Sequence, residues 1–358
     1  MSGAENVSHV MHNVLTLRGA KVRDALRWSN YLDDAISRVA DAKVEVLFAS
    51  HHWPTWGKDE IVGYLEKQRD IYKFIHDQAL RFANQGLTSR EIAERVELPD
   101  SLANTFAVRG YYGTLSHNLK AVYQHYFGWF DGNPANLNPL PPEQSAVHYV
   151  EAMGGGVSVL EKARAAYARG EYRWTAMLLN HLVFAEPGND AARGVLADTY
   201  DQLGYQAESG PWRDFYLTGA NELRGNSREL ERESLTPIDI VSSMPTGLFF
   251  DALAVRLDSE KAEGDDSVLN FVFSDIDETH VIELENAVLH HTLGDPHPDA
   301  DATVTMTRGT WNLLIAKQTT LQKEIVGGGI EVEGSVIDLV QFFAMLDEPN
   351  PRFGIVIP

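Results

Sequence analysis

Apolar residues recur at helical spacing near the start of the chain, at Val7, Val10, Met11, Val14, Leu15 and Leu17, and again at Trp28, Tyr31, Leu32, Ile36 and Val39; the pattern predicts two helices. The run from Val44 to Ala49 then predicts a short buried strand that ends at Ser50, directly before His51-His52-Trp53-Pro54. Beyond Gly57 the period returns to that of a helix, with Ile61, Tyr64, Leu65, Ile71, Phe74 and Ile75 on one stripe. Thr88 followed by Glu91 reads as a capping box, in which the threonine hydroxyl and the glutamate carboxylate each satisfy a free helix-end N–H. Asp131-Gly132-Asn133-Pro134 predicts a turn, and Pro139, Pro141 and Pro142 mark a boundary.

Residues 143–225 carry a weak internal repeat, pairing Ala163 with Ala197 and Gly170 with Gly204, with Pro187 closing the first unit, at the spacing of tetratricopeptide helix pairs. Two such units cannot close a solenoid, so they are expected to pack on the helices before them as one helical domain over 58–225. After the charged linker Arg224–Glu233 the pattern alternates at strand length, at Leu253–Asp258, Val268–Phe273, His280–Glu285 and Ala302–Met306. Helical stretches at Thr236–Leu248, Arg308–Ile315 and Val336–Leu346 flank these, which predicts an α+β domain over 233–358 with an antiparallel sheet. Residues 1–57 are too few to close a layered domain and read as the tail end of a larger α/β sandwich. The fold class expected is therefore multidomain, α and α+β.

With 358 residues, 44% of them hydrophobic, the chain can bury more than one core. A formal charge of −21 repels phosphate backbones, so no nucleic-acid partner is expected. The absence of cysteine removes disulfides, thiolate metal sites and cysteine nucleophiles, leaving His, Asp and Glu as metal ligands. No apolar run is long enough to span a bilayer, and the start Met1-Ser2-Gly3-Ala4-Glu5 lacks the features of a secretory leader. The default expectation is a cytoplasmic protein, or a periplasmic or secreted one if the sequence is part of a longer chain.

The candidate chemistry is concentrated near the start. Paired imidazoles at a strand end, His51 and His52, suit a metal, although a hydrogen-bonded structural role is the commoner one for a histidine. Arg18 can fork two hydrogen bonds onto a tetrahedral oxyanion, or form a surface ion pair. The cluster at Tyr123 and His125 reads first as aromatic packing, and His290, His291 and His297 as a solvated polar loop.

Ala4-Glu5-Asn6, Asn13 to Arg18, Ser50 to Gly57, Tyr111-Tyr112-Gly113, Gly128 to Pro134, Met153-Gly154-Gly155 and Gly327 to Gly334 together resemble the C-terminal part of a class III alkyl sulfatase. The resemblance implies three parts: over 1–57 the end of a metallo-β-lactamase-type αββα catalytic domain, over 58–225 a TPR-like helical dimerisation domain, and over 233–358 a sterol-carrier-like α+β domain. It also implies two zinc ions that activate water for cleavage of a sulfate ester, with Glu5 as the bridging carboxylate and His51, or in the other register His52, as the last imidazole ligand. Asn13 and Arg18 fall in the segment that resembles the sulfate-binding one, and Tyr123 and His125 are implied to reach the same pocket. In the C-terminal domain Phe249, Phe250, Phe271, Trp311, Phe342 and Phe343 would line an alkyl-chain tunnel or else simply fill the core.

The family's His-x-His-x-Asp-His motif is absent from this sequence. Two expectations follow. The chain is part of a zinc-dependent enzyme that hydrolyses primary alkyl sulfates such as dodecyl sulfate and is inactive alone, with a homodimer expected. Alternatively it is a non-catalytic protein that dimerises and binds a lipid or long-chain alcohol.

Overall fold

The computed structural model describes residues 1–226, 238–350 and 353–358. The chain divides into two compact units, Met1–Ser227 with Gly354–Pro358, and Arg228–Phe353. Part of the linker expected at Arg224–Glu233 and the start of the helix expected at Thr236 lie outside the described residues. No helix among those described is long and apolar enough to cross a membrane.

In the first unit, α1 (Ala25–Asp41) follows an irregular segment and leads to two short paired strands, β1 (Val46–Leu47) and β2 (Thr55–Trp56). The long α2 (Lys58–Ala83), the short α3 (Ser89–Arg95) and α4 (Asp100–Ala103), and α5 (Leu115–Phe127) complete its first half. Trp28, Leu32 and Val39 of α1, Ile61, Leu65, Ile71 and Ile75 of α2, and Leu119 and Val122 of α5 share one core with Val7, Met11 and Val14. A core that runs across the boundary expected at 57/58 makes residues 1–57 part of the helical unit, not a separate body. The capping box forms as expected, Thr88 with Glu91.

Residues 7–17 are not helical, contrary to their spacing. Tyr72 and Asn118 take up their backbone groups: the Tyr72 hydroxyl accepts from the His12 N–H at 3.0 Å, while Asn118 accepts from the Val14 N–H and donates to the His12 carbonyl, both at 2.9 Å. His117 adds a bond to the Leu15 carbonyl at 2.6 Å. An extended segment whose polar groups are met by side chains has no need of helical pairing, and its apolar side chains are buried all the same.

The second half of this unit is a run of antiparallel helices, α6 (Pro142–Ala152), α7 (Gly155–Ala168), α8 (Tyr172–Ala185), α9 (Asp190–Gln206) and α10 (Gly210–Leu223), around Leu178, Leu182, Leu196 and Ala220. Ala163 and Ala197 are both fully buried there, as expected of small residues where helices approach. The terminal residues return to this half: Glu222 accepts from the N–H groups of Ile355 and Val356 at 2.8 and 3.0 Å.

The second unit has α11 (Ile238–Ser243) and α12 (Thr246–Ala254), then β3 (Ser267–Phe273), β4 (Glu278–Glu285), β5 (Val288–Leu293) and β6 (Ala302–Met306). Next come α13 (Arg308–Ile315), α14 (Leu321–Gly327), β7 (Ile330–Gly334) and α15 (Val336–Ala344). The sheet order is β5-β4-β3-β6-β7, and it is mixed where an antiparallel one was expected, because β3 and β6 pair in parallel at its centre. The strand expected at Leu253–Asp258 is instead the end of α12 and a turn, with Val255 87% exposed. His290 and His291 belong to β5, not to a loop, while His297 does lie between strands. Helix breaking by Pro245 divides the single helix expected up to Leu248 into α11 and α12.

His280 of β4 lies buried beneath α12. Among the described residues neither ring nitrogen has a hydrogen-bond partner within 3.5 Å; Glu278 Oε2 stands 3.8 Å from Nε2, and His291 and Arg308 also face the ring, with Asp251 bonded to His291 at 2.9 Å. Burial holds its pKa below the usual imidazole value. The unfolded chain therefore takes up a proton that the folded unit resists, so the stability His280 contributes is present above about pH 6.5 and lost as pH falls below it. Thermal unfolding followed from neutral to mildly acidic pH should fall less in His280→Gln than in the parent; equal slopes would exclude His280 as the source.

Candidate functional site

The first residues run parallel to the segment after β1. The Gly3 N–H donates to the Phe48 carbonyl at 2.7 Å, the Phe48 N–H to the Met1 carbonyl at 3.1 Å, and the Ser50 N–H to the Ala4 carbonyl at 2.9 Å. Glu5 and His51 each follow the last of these bonds, so parallel register delivers both to the same end. Gly3 is required there, since a Cβ would meet Val7 Cβ at 2.9 Å. Ala4 and His52 both take positive φ, 45° and 69°, which turns the two segments sharply at the end of the pairing.

A cavity of about 590 Å³ opens at this end, lined by Glu5, Ser8, Val10, His12, Arg18, His51, His52, Tyr111 and Tyr112. Glu5 lies 3.6 Å from His51 Nε2 and 4.0 Å from His12 Nε2. His12 is buried, with Nδ1 3.0 Å from the Asn13 carbonyl. A carbonyl only accepts, so Nδ1 carries the hydrogen and Nε2 turns a lone pair toward the carboxylate. Burial lowers the His12 pKa, against the opposing effect of that hydrogen bond, and favours the neutral ring. A neutral imidazole and a carboxylate that converge in this way suit a shared proton or cation.

The opposite wall is the Arg109–Gly113 loop. Met11 donates to the Arg109 carbonyl at 3.0 Å and Gly113 to the Met11 carbonyl at 2.7 Å, so the loop wraps the His12 segment. A Cβ on Gly113 would lie 2.4 Å from the His12 carbonyl oxygen, which excludes any other residue there. Residues at the start of α10 hold the loop from outside: Ser209 Oγ donates to the Tyr112 carbonyl at 2.7 Å, the Gly210 N–H to that of Tyr111 at 2.9 Å, and Glu208 pairs with Arg109 at 2.8 Å.

The structure thus brings together Glu5, Arg18, His51 and His52. Arg18 is exposed and pairs with no carboxylate among the described residues. Asn13 is 3% exposed and outside the cavity lining; its carbonyl accepts from Arg23 at 2.9 Å, which makes it a support of the His12 segment. Tyr123 and His125 stand in the last turns of α5, Tyr123 against Phe127 and His125 exposed against Tyr126, and neither lines the cavity. The reason is helix rise: α5 meets the site through His117 and Asn118, and at about 1.5 Å per residue the later turns lead away. Tyr111 and Tyr112 take that wall instead. His12 was not singled out as a ligand in the sequence, because the helical spacing of its neighbours masked an extended segment.

In the second unit, Phe249, Phe250, Phe271, Trp311 and Phe342 are all buried, Phe343 partly so, with Phe250 at 5.3 Å from Phe271 and 5.5 Å from Trp311. A lumen wide enough for an alkyl chain would leave these rings accessible. They fill the core and do not line an open tunnel.

Residues 88–226 match the family model for alkyl sulfatase dimerisation, and residues 234–358 match that for the alkyl sulfatase C-terminal domain. The chain belongs to the alkyl sulfatase family. It is 48% identical, over its whole length, to a linear primary-alkylsulfatase of Pseudomonas sp., and spans 53% of that protein. An alkyl/aryl-sulfatase of Saccharomyces cerevisiae is 48% identical over 99% of this chain, which covers 54% of the yeast protein. The solved structure of the stereoselective inverting sec-alkylsulfatase Pisa1 from Pseudomonas sp. superposes on all of it with a TM-score of 0.94 at 44% identity, and 56% of that chain is covered. The chain therefore spans about half the length of these family members.

Asn118 bonds to two backbone groups in the buried His12 segment. Asn118→Ala should lower the unfolding free energy by about 2–4 kcal/mol, the cost of orphaning those groups. Urea denaturation checks it, and a loss below about 0.5 kcal/mol would show that the segment is held by other contacts.

Proposed function

We propose that this chain forms the downstream wall of an alkyl sulfatase site, in which the cavity beside Arg18 receives the sulfate group of an alkyl sulfate ester. The observation that carries this reading is the convergence of Glu5, His12, Arg18 and His51 on one cavity. A guanidinium without a carboxylate partner suits the non-bridging sulfate oxygens, to which it can donate more than one hydrogen bond. Glu5 opposes the anion unless a cation or proton lies between them, which matches the lone pairs that converge there. That two relatives are a linear primary-alkylsulfatase and an alkyl/aryl-sulfatase supports a sulfate ester as substrate.

Zinc is the metal the family resemblance implies, and when bound it would supply Lewis acidity and a water of lowered pKa. The donors present do not fit a zinc pair. Glu5 stands 3.6 Å from His51 and 4.0 Å from His12, which offers one edge of a coordination shell, His52 stands beside Trp53, and among the described residues no group of three or more His, Asp or Glu is placed to hold a metal ion. We therefore read the chain by itself as able to bind the ester and not to hydrolyse it. A homodimer is part of the same reading, through the helices matched by the dimerisation model, where Trp174 and Met177 of α8 are 49% and 57% exposed.

Octyl sulfate should bind the chain by titration calorimetry, and Arg18→Gln should weaken it tenfold or more, the worth of about 1.5–3 kcal/mol for a hydrogen bond to a charged group. The same protein should release no sulfate from dodecyl sulfate and should hold well under two zinc ions per chain by elemental analysis. Unchanged affinity in the variant would remove the sulfate assignment. Turnover with two bound zincs would overturn the inactivity.

A further inference from the structure

Beside the cavity stands a run of three large rings that the fold leaves uncovered. Trp53, Phe106 and Tyr111 are 54%, 51% and 44% exposed. Their ring centroids follow one another at 5.9 Å from Trp53 to Phe106 and 5.9 Å from Phe106 to Tyr111. The run touches the cavity at both ends, since Tyr111 lines it and Trp53 adjoins the ring of His52, which also lines it, at 5.8 Å.

These rings are also held firmly in place. Trp53 is the outer plate of a stack, with His9 at 4.8 Å behind it and Tyr64 at 4.5 Å behind His9, and His9 Nε2 is 3.2 Å from Thr55 Oγ1. Phe106 opens a short turn anchored by the buried Val108 and by the Ala107 carbonyl, which accepts from the Gln68 amide. The Arg109 guanidinium lies 5.5 Å from the Tyr111 ring centre and is tied to Glu208. Exposed rings fixed in this way meet a ligand without first losing much side-chain freedom.

We propose that the Trp53–Phe106–Tyr111 run is the subsite for the hydrocarbon chain of an amphiphilic sulfate ester whose head group lies beside Arg18. The inference rests on the sulfate-ester reading of the cavity. A cation in the cavity and a rigid apolar strip continuous with its wall match the two ends of such a molecule, while the aromatic core of the second unit, already filled, has no surface to offer the chain. An apolar patch alone is compatible with a protein partner; continuity with the cavity at two points favours the ester.

Titration calorimetry with butyl, hexyl and octyl sulfate, below their aggregation concentrations, tests it on the parent and on Trp53→Ala/Phe106→Ala. In the parent, affinity should rise between about twofold and fourfold per added methylene, the value for partial to full burial of the group. In the double variant the rise should fall below about 1.5-fold per methylene. Both rings are exposed, so folding is not at stake, and Trp53→Phe should retain most of the parent's rise. A double variant with the parent's full dependence on chain length would place the chain elsewhere and overturn the inference alone. Failure of every sulfate ester to bind the parent would instead overturn the reading of the cavity and this subsite with it.

Discussion

Everything the candidate site does depends on an extended segment that makes no regular secondary structure. Residues 10–16 are buried except for the half-buried Leu15, and leaving their backbone polar groups unmet would cost about 1–3 kcal/mol each. Tyr72, Asn118 and His117, from two helices, supply the missing partners. The same bonds fix His12 and carry the chain toward Arg18. The Gly113 contact and the residues at the start of α10 then set the opposite wall, so a helical half matched to a dimerisation domain also holds the cavity in shape.

The electrostatics of the cavity are unbalanced in an informative way. Among the described residues Arg18 pairs with no carboxylate, while Glu5 meets two imidazoles. Such an arrangement is poorly satisfied in isolation and better satisfied with an anion on one side and a cation or proton on the other. The chain spans about half the length of its relatives, and among the described residues no group of three or more His, Asp or Glu is placed to hold a metal ion.

Much of this was legible in the sequence. The helices α1 and α2 and the strands β3, β4 and β6 follow from apolar spacing, and the capping box at Thr88 from its residue types. The grouping of Glu5, Arg18 and His51 came from family resemblance, not periodicity, and all three line one cavity. What stayed hidden depends on contacts distant in sequence. The helical spacing of Val7 to Leu17 misleads because side chains from positions 72, 117 and 118 replace helical bonds. Parallel pairing of β3 with β6 needs a connection across two strands, which no local pattern encodes. Tyr123 and His125 were expected at the pocket, yet only the first turns of α5 reach it.

The most direct measurement is a crystal structure of the chain grown with octyl sulfate. The account predicts sulfate oxygens on the Arg18 guanidinium, with the Glu5 carboxylate still within about 4 Å of the Nε2 atoms of both His12 and His51, as it is here at 4.0 and 3.6 Å. A structure with Arg18 turned to solvent, and with Glu5 and His51 facing different surfaces, would contradict it.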